Sequence, residues 1–180
     1  MIIGICGAAG AGKDTIAGLL IERGFRQIAF ADPIYEAVSV ITGLSVDELK
    51  DRSRKENTLG WISQSPRRLL QSLGTEWGRE MIHPEIWVMS ALRRVEEGSD
   101  YCITDVRFPN EAEAIKARGG VVWRVARPGF SGLADDAAGH SSEAGIPARY
   151  IDDELENAGT MDDLATAVDA ALGNLQTHTM

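Results

Sequence analysis

The sequence predicts an α/β fold in which a five-stranded parallel sheet carries helices on both faces. Short apolar, β-rich segments alternate with helical patterns along the 180 residues, which is typical of parallel sheets. A glycine-rich loop follows the first apolar segment, and no linker or repeat divides the chain, so a single domain over 1–180 is expected. The predicted strands cover residues 2–6, 27–30, 101–104, 121–126 and, more weakly, 153–156.

The first apolar segment, Ile2–Cys6, is followed by a glycine-rich turn, a lysine and a helical pattern. Gly7, Gly10 and Gly12 allow the backbone to wrap closely around an anion, which the loop N–H groups and the helix N-terminus attract. Lys13 adds a mobile positive charge that suits the outer phosphates of a phosphate chain. The pattern predicts a phosphate-binding loop; the alternative is an Ala/Gly-rich tight turn that binds nothing.

Asp14 stands where such loops usually carry serine or threonine, and Thr15 follows one residue later. Two interpretations of Asp14 stay open. Its carboxylate could hold a hydrated Mg²⁺ through water, or it could simply be a favourable negative charge at a helix N-terminus. The Thr15 hydroxyl can still reach a phosphate from the first turn of the helix.

The net charge of −9 lies entirely in the C-terminal part of the chain. Residues 131–180 hold ten acidic residues and one basic residue, Arg149, whereas the charges of residues 1–130 balance. Nucleic-acid polymers need a basic face and membrane spans need ~20 apolar residues, so neither partner is expected. Cys6 and Cys102 fall in predicted buried strands and are predicted to be free thiols, which indicates a reducing, cytoplasmic location.

A long helical insertion, roughly 33–97, separates the second and third predicted strands. Pro33 opens its first helix and Gly43 ends it, and Ser45 begins a second helix with a capping box completed by Glu48. Further helices are predicted to begin at Ser65 and to cover 84–95.

Asp32 ends the second strand segment, at the sheet edge where parallel folds bind ligands. It could orient an acceptor or take its proton. The alternative is an ordinary N-cap followed by Pro33 at the first helical position.

Asp105 and Arg107 follow the third predicted strand. Asp105 could hold Mg²⁺ through water, and Arg107 could contact a transferring or accepting phosphate. The alternative is an ion pair of Arg107 with Asp105 or Glu111. Asn110 is expected to cap the helix that comes next.

Arg68, Gln71 and Thr75 fall on one face of a predicted helix, and Arg79 adds a cation near its end. Together they could hold a phosphate and contact a base edge; the alternative is a solvated helix face. Fourteen of the 18 basic residues are arginines, which suits bidentate phosphate contact or reflects a GC-rich genome.

Residues 128–148 are polar and contain glycines, which predicts a lid-like flap. Arg127, at its start, could act as a cation supplied in cis to the phosphates. His140 is expected to be a flap contact or a surface residue, because no His/Cys cluster has the spacing of a zinc site. Thr160 to Asp163 forms a capping-box pattern that begins a last amphipathic helix.

Taken together, these segments resemble the deoxynucleoside monophosphate kinases of bacteriophages. The matching segments, in family order, are Gly7–Thr15, Phe30–Pro33, Arg68–Arg79, Thr104–Glu111, Arg127–Gly129 and His140–Glu143. The resemblance implies a three-layer α/β/α P-loop kinase fold with strand order 2-3-1-4-5, a helical acceptor-binding insertion and a short lid. It also implies transfer of the γ-phosphoryl group of ATP to a deoxynucleoside monophosphate with Mg²⁺, by a homodimer in the host cytoplasm.

The resemblance further implies roles for individual residues. The catalytic residues would be Lys13, Asp32, Asp105, Arg107 and Arg127. The ATP-binding residues would be Gly7, Gly10, Ala11, Gly12, Lys13, Asp14, Thr15, Asn157 and Gly159, the last two in a loop that flanks the adenine. The acceptor-binding residues would be Asp32, Arg68, Gln71, Thr75, Arg79, Arg107 and Glu111. Mg²⁺ would be held, through water, by Asp14, Thr15 and Asp105.

The chain departs from the family at Tyr35 and Glu36, where similar sequences often carry a lysine. Two other functions stay open: a kinase of another small metabolite such as dephospho-coenzyme A, and a nucleotide-binding switch without transferase activity. The Leu-Gln-x-Leu-Gly-Thr segment favours a nucleotide acceptor. The sequence has no Asn-Lys-x-Asp signature, which counts against a guanine-nucleotide switch.

Overall fold

The computed structural model describes residues 1–129 and 146–177. Five strands form one sheet in the order β2-β3-β1-β4-β5, and each neighbouring pair is parallel. The strands are β1 Ile2–Cys6, β2 Arg26–Ile28, β3 Tyr101–Ile103, β4 Val121–Ala126 and β5 Asp153–Glu156. The predicted fold class and strand order are confirmed, although β2 lies one to two residues earlier than predicted.

The described residues contain eight α-helices, a π-helical segment and a 3₁₀ turn. The α-helices are α1 Lys13–Glu22, α2 Asp32–Thr42, α3 Val46–Lys50, α4 Arg52–Lys55, α5 Pro66–Gln71, α6 Ile86–Leu92, α7 Pro109–Lys116 and α8 Met161–Thr177. The π-helical segment is Ser72–Ile82 and the 3₁₀ turn is Ala148–Tyr150. None of the described helices is long and apolar enough to cross a lipid bilayer.

The chain divides into two compact units, which we call the sheet unit and the helical unit. The sheet unit comprises Met1–Ile28 with Glu96–Met180, and the helical unit is Ala29–Val95. The helical unit covers nearly the same residues as the predicted insertion, 33–97. The description of all 180 residues as one domain stays a prediction.

In the sheet unit, every residue of β1 is buried because helices cover both faces of the sheet. Ile3 and Ile5 are fully buried on the face covered by α1 and α8. On the other face α7 approaches closely: a Cβ on Gly4 would lie 2.6 Å from Ile115 Cδ1. Cys6 and Cys102 are buried and free, as predicted. The central strand is thus packed on both faces up to the point where the glycine-rich loop begins.

In the helical unit, Val38, Leu49 and Leu70 form the core. The predicted capping box is confirmed: the Glu48 N–H donates to Ser45 Oγ (3.2 Å), and the Ser45 N–H donates to Glu48 Oε2 (2.9 Å). The helix predicted over 84–95 is shorter and runs only over 86–92.

The helix that begins at Ser65 is α-helical only to Gln71 and then changes to π geometry. Its last turn shows the longer spacing, since the His83 N–H donates to the carbonyl of Gly78, five residues earlier (2.9 Å). Trp87 packs against this segment. Its indole N–H donates to the Gly74 carbonyl (2.7 Å), and a Cβ on Gly78 would lie 2.4 Å from Trp87 Cζ2.

Candidate active site

The glycine-rich loop has the backbone conformation that the sequence predicted. Gly7, Gly10 and Gly12 have φ values of 143°, 83° and 109°, a region that L side chains rarely adopt. A Cβ on Gly7 would lie 2.5 Å from the carbonyl oxygen of Val125, so side chains are excluded there by space as well. Helix α1 begins at Lys13, immediately after this loop. A loop of this shape at a helix N-terminus fits the phosphate chain of a nucleotide.

The Lys13 side chain lies over the loop and is surrounded by charges of both signs. Its ammonium donates to the carbonyls of Gly7 and Ala8, at 2.9 Å each. Burial lowers the pKa of Lys13, and the positive charge of Arg107 lowers it further, while the carboxylates of Asp14 and Asp105 act in the opposite direction. Asp105 and Arg107, which follow β3, therefore lie within electrostatic reach of the loop lysine.

The side-chain oxygens near Lys13 are suited to a Mg²⁺ ion that takes most of its ligands from phosphate and water. Asp14 is exposed in the first turn of α1, while Thr15 and Asp105 are half-buried, and all three offer oxygen ligands. Among residues 1–129 and 146–177, no three His, Cys, Asp or Glu side chains come together as a metal cage. Mg²⁺ in proteins often keeps several waters and binds through one or two carboxylates and the phosphates of a substrate, and carboxylate and hydroxyl oxygens such as these suit it.

Glu111 is buried, with 2% of its surface exposed, although it belongs to the first turn of α7. Its Oε2 accepts hydrogen bonds from the backbone N–H groups of Arg107 (2.7 Å) and Phe108 (3.0 Å). The side chain thus ties down the segment that carries Arg107, whose own side chain is exposed. Helix α7 begins at Pro109 after Phe108, so the expected cap at Asn110 is wrong.

Asn157 follows β5 and contacts the loop directly. Its Nδ2 donates to the carbonyl of Ala11 (2.9 Å), and its backbone N–H donates to the carbonyl of Ala126 (2.7 Å). Gly159, two residues further on, is exposed. The family resemblance implied a loop that flanks the adenine here, which stays a prediction, and the sequence gave no signal for the contact with Ala11.

Arg127 follows β4 and is exposed. Most of the predicted flap, 128–148, lies outside the described residues, and so does His140. Their roles stay predictions.

In the helical unit, Asp32 is the first residue of α2, after Ala31 at the N-cap. Its carboxylate accepts from the backbone N–H of Ala29 (2.7 Å), so it fixes the turn before the helix. The N-cap alternative for Asp32 is therefore wrong.

The other predicted acceptor residues are divided between α5 and the π-helical segment. Arg68 pairs with Glu76 (Nη1–Oε1, 2.8 Å) and remains half-exposed. Gln71 ends α5, and Thr75 lies in the π-helical segment. Because a π turn holds more residues than an α turn, Thr75 is rotated less far around the helix axis from Gln71 than the α-helical spacing predicts. Thr75 is exposed, while Gln71 and Arg79 are half-buried.

A surface cavity of about 380 Å³ also lies in the helical unit. Its lining residues are Ile82, His83, Ile86, Met89, Ser90 and Arg93. None of the predicted site residues is among them.

Comparison with known proteins agrees with this geometry. The family described as deoxynucleotide monophosphate kinase matches residues 40–168. The deoxynucleoside-5'-monophosphate kinase of Escherichia phage T5 is 30% identical, over 87% of this chain and 89% of that protein. The crystal structure of TT1252 from Thermus thermophilus is 26% identical, covers 97% of both chains and superimposes with a TM-score of 0.52.

The shikimate kinase of Aquifex aeolicus, at 12% identity and a TM-score of 0.50 over 97% of both chains, shares the fold. The family match covers more than half of the sequence, and the phage T5 relative aligns along nearly the whole chain. This chain therefore belongs to the deoxynucleotide monophosphate kinase family.

Proposed function

We propose that this chain transfers the γ-phosphoryl group of ATP to the phosphate of a deoxynucleoside 5'-monophosphate, giving the diphosphate and ADP. The observation that carries the proposal is the group of charges around Lys13: its ammonium lies on the glycine-rich loop, and Asp105 and Arg107 are near enough to shift its pKa. The family and the name of the phage T5 relative support a deoxynucleoside monophosphate as the acceptor.

The donor phosphates bind to the loop amides and to Lys13. In the structure the Lys13 ammonium rests on two carbonyl oxygens of the loop, and phosphate oxygens are stronger acceptors for the same donor. Because the ammonium is partly buried, its attraction to a phosphate is screened less than it would be in bulk water. Lys13 thereby favours the binding of a phosphate chain to the loop.

In the reaction, an oxygen of the acceptor phosphate forms a bond to the γ-phosphorus, and the bond from that phosphorus to the bridging oxygen of ADP breaks. The protein contributes position and charge rather than covalent chemistry. Arg107 contacts the transferring group, and Arg127 adds a second cation. Asp14, Thr15 and Asp105 would hold Mg²⁺, partly through water; that ion neutralises charge on the phosphate oxygens.

The acceptor binds to the helical unit through Asp32, Arg68, Gln71, Thr75 and Arg79. Arg68 is half-exposed in its pair with Glu76, and such an exposed pair costs little to exchange for a phosphate. Glu111 acts by holding the Arg107 segment rather than by contact with the acceptor. The homodimer, the cytoplasmic location and the lid stay predictions.

A coupled assay of ADP release tests this function. The enzyme, ATP and Mg²⁺ are combined with each deoxynucleoside monophosphate, each ribonucleoside monophosphate and dephospho-coenzyme A. We expect release that depends on one or more deoxynucleotides, reduced about 100-fold or more in Arg107→Ala and unchanged in Arg149→Ala, an exposed arginine outside the site. Release with dephospho-coenzyme A alone, or with no acceptor at all, would show that the proposed acceptor is wrong.

A further inference from the structure

Asn157 makes two hydrogen bonds that join three parts of the sheet unit. Its backbone N–H donates to the carbonyl of Ala126 at the end of β4, which fixes the position of its main chain. Its side-chain Nδ2 then donates to the carbonyl of Ala11, which is 146 residues away in the sequence. Ala11 is only 1% exposed, so this carbonyl faces the protein rather than bulk water.

Gly12, which follows Ala11 in the loop, also lies against the Asn157 side chain. A Cβ on Gly12 would lie 2.3 Å from Asn157 Nδ2, closer than any real contact. Gly12 has a φ of 109° and immediately precedes α1. The asparagine therefore occupies the space beside the loop that a side chain at position 12 would need.

The peptide bond between Ala11 and Gly12 links this contact to anion binding. In a planar trans peptide the C=O and the following N–H point in opposite directions. When Asn157 holds the Ala11 carbonyl toward itself, the Gly12 N–H must point away from Asn157. Rotation of this peptide would redirect one of the N–H donors of the loop.

We propose that Asn157 is a positioning residue of the phosphate-binding loop, which fixes the orientation of the peptide between Ala11 and Gly12. This role is distinct from the contact with the adenine that the family resemblance implied: here one N–H of the Asn157 side-chain amide is bonded to the carbonyl of the loop. The inference rests on the proposed function only in naming the anion as the phosphate chain of ATP.

Calorimetric titrations with ATP, GTP and inorganic triphosphate distinguish the two roles. Asn157→Ala removes the donor, and Asn157→Asp keeps the shape but sets a carboxylate oxygen against a carbonyl oxygen. Loss of one hydrogen bond corresponds to about a fivefold change. We expect all three ligands to bind about five- to tenfold more weakly to both variants, with an unchanged ratio of ATP to GTP affinity. Asn57→Ala, an exposed asparagine of the helical unit, serves as the matched control and should bind like the wild type.

A loss confined to ATP, with triphosphate binding unchanged, would overturn the proposal in favour of base recognition. Amide hydrogen exchange without any ligand gives a second test, independent of the function. The N–H groups of Ala11 and Ile16 are bonded to Ala8 and Gly12 of the loop (3.1 Å each). We expect both to exchange at least fivefold faster in the Asn157 variants but not in Asn57→Ala; equal rates would overturn the proposal.

The two tests also separate this inference from the proposed function. If the wild type binds none of the three ligands, the proposed function fails, while the exchange rates still decide whether Asn157 holds the loop. Asn157→Asp is nearly isosteric with the natural residue, so it tests the same contact if Asn157→Ala does not fold.

Discussion

At the scale of single residues, the Lys13 ammonium is held where its charge is disfavoured in the free protein. Burial and the charge of Arg107 lower its pKa below the ordinary lysine value, so the folded state binds this proton more weakly than the unfolded state does. Below both pKa values the charge therefore opposes folding, and stability rises with pH between the folded and the unfolded value. A bound phosphate chain would remove this disadvantage.

We therefore predict that Lys13→Met abolishes activity without destabilising the protein. The loss in kcat/KM should be at least about 100-fold, the range found when a single charge-stabilising donor is removed. The urea midpoint at pH 7 should equal or exceed that of the wild type, because the Gly7 and Ala8 carbonyls can accept from water instead. Retained activity, or a clearly lower midpoint, would contradict this account of Lys13.

Glu111 is a buried carboxylate that holds the backbone next to Arg107. Its carboxylate is buried and accepts from two backbone N–H groups, so truncation removes the acceptor that both donors share. We predict that Glu111→Ala lowers the free energy of unfolding by about 1–3 kcal/mol and also lowers kcat. Glu111→Gln keeps an acceptor oxygen, so its free energy of unfolding and its kcat should both fall less. Urea unfolding and steady-state kinetics measure these two quantities. Equal losses in the two variants would show that the charge, not the hydrogen bonding, matters.

At the scale of elements, the π-helical segment and α6 depend on close packing between glycines and Trp87. Gly78→Ala would place a methyl group 2.4 Å from the indole ring. We predict a loss of about 1–3 kcal/mol in the free energy of unfolding, with a shift in tryptophan fluorescence.

Gly173→Ala in α8 is the matched control, because nothing lies within 4 Å of its added Cβ. It should leave stability unchanged or raise it by up to about 1 kcal/mol. Similar losses in both variants would mean that the effect comes from glycine replacement in a helix rather than from contact with Trp87.

The N-terminus of α8 contributes to the stability of the folded state in a pH-dependent way. Hydrogen bonds from the Thr160 hydroxyl and backbone N–H hold the pKa of Asp163 below its ordinary value. A depressed carboxyl pKa adds stability above the unfolded-state pKa, and this stability is lost as the pH falls through the folded-state value. We predict that Asp163→Ala is less stable than the wild type at pH 6 and that the difference shrinks by pH 3 in denaturant titrations. A difference that is constant with pH would contradict the assignment.

Local signals in the sequence predicted the elements well where one residue determines the geometry. Ser45, Ser65 and Thr160 were expected to begin helices, and each caps one. The π-helical segment was not foreseen, because neither propensity nor hydrophobic period distinguishes i→i+5 from i→i+4 bonding. Its packing partner was not foreseen either, because Trp87, which packs on Gly74 and Gly78, belongs to a separate element.

At the scale of the whole molecule, the strand order explains how the site assembles. The central strand β1 lies between β3 and β4, so the loop after β1, Asp105 after β3 and Arg127 after β4 all come at the same edge of the sheet. The alternation of strands and helices predicted this edge. Contacts such as that between Asn157 and Ala11 could not be predicted, because they join residues far apart in sequence and follow no period.

Transfer of radioactive phosphate from [γ-³²P]ATP tests directly whether the protein is a deoxynucleotide kinase. The wild-type chain is incubated with labelled ATP, Mg²⁺ and the four deoxynucleoside monophosphates, and the products are separated by thin-layer chromatography. The label should appear in a deoxynucleoside diphosphate, and it should be lost from that product in Lys13→Met. Label found only in inorganic phosphate, or left in ATP under conditions where the wild type binds the nucleotide, would contradict the proposed phosphoryl transfer.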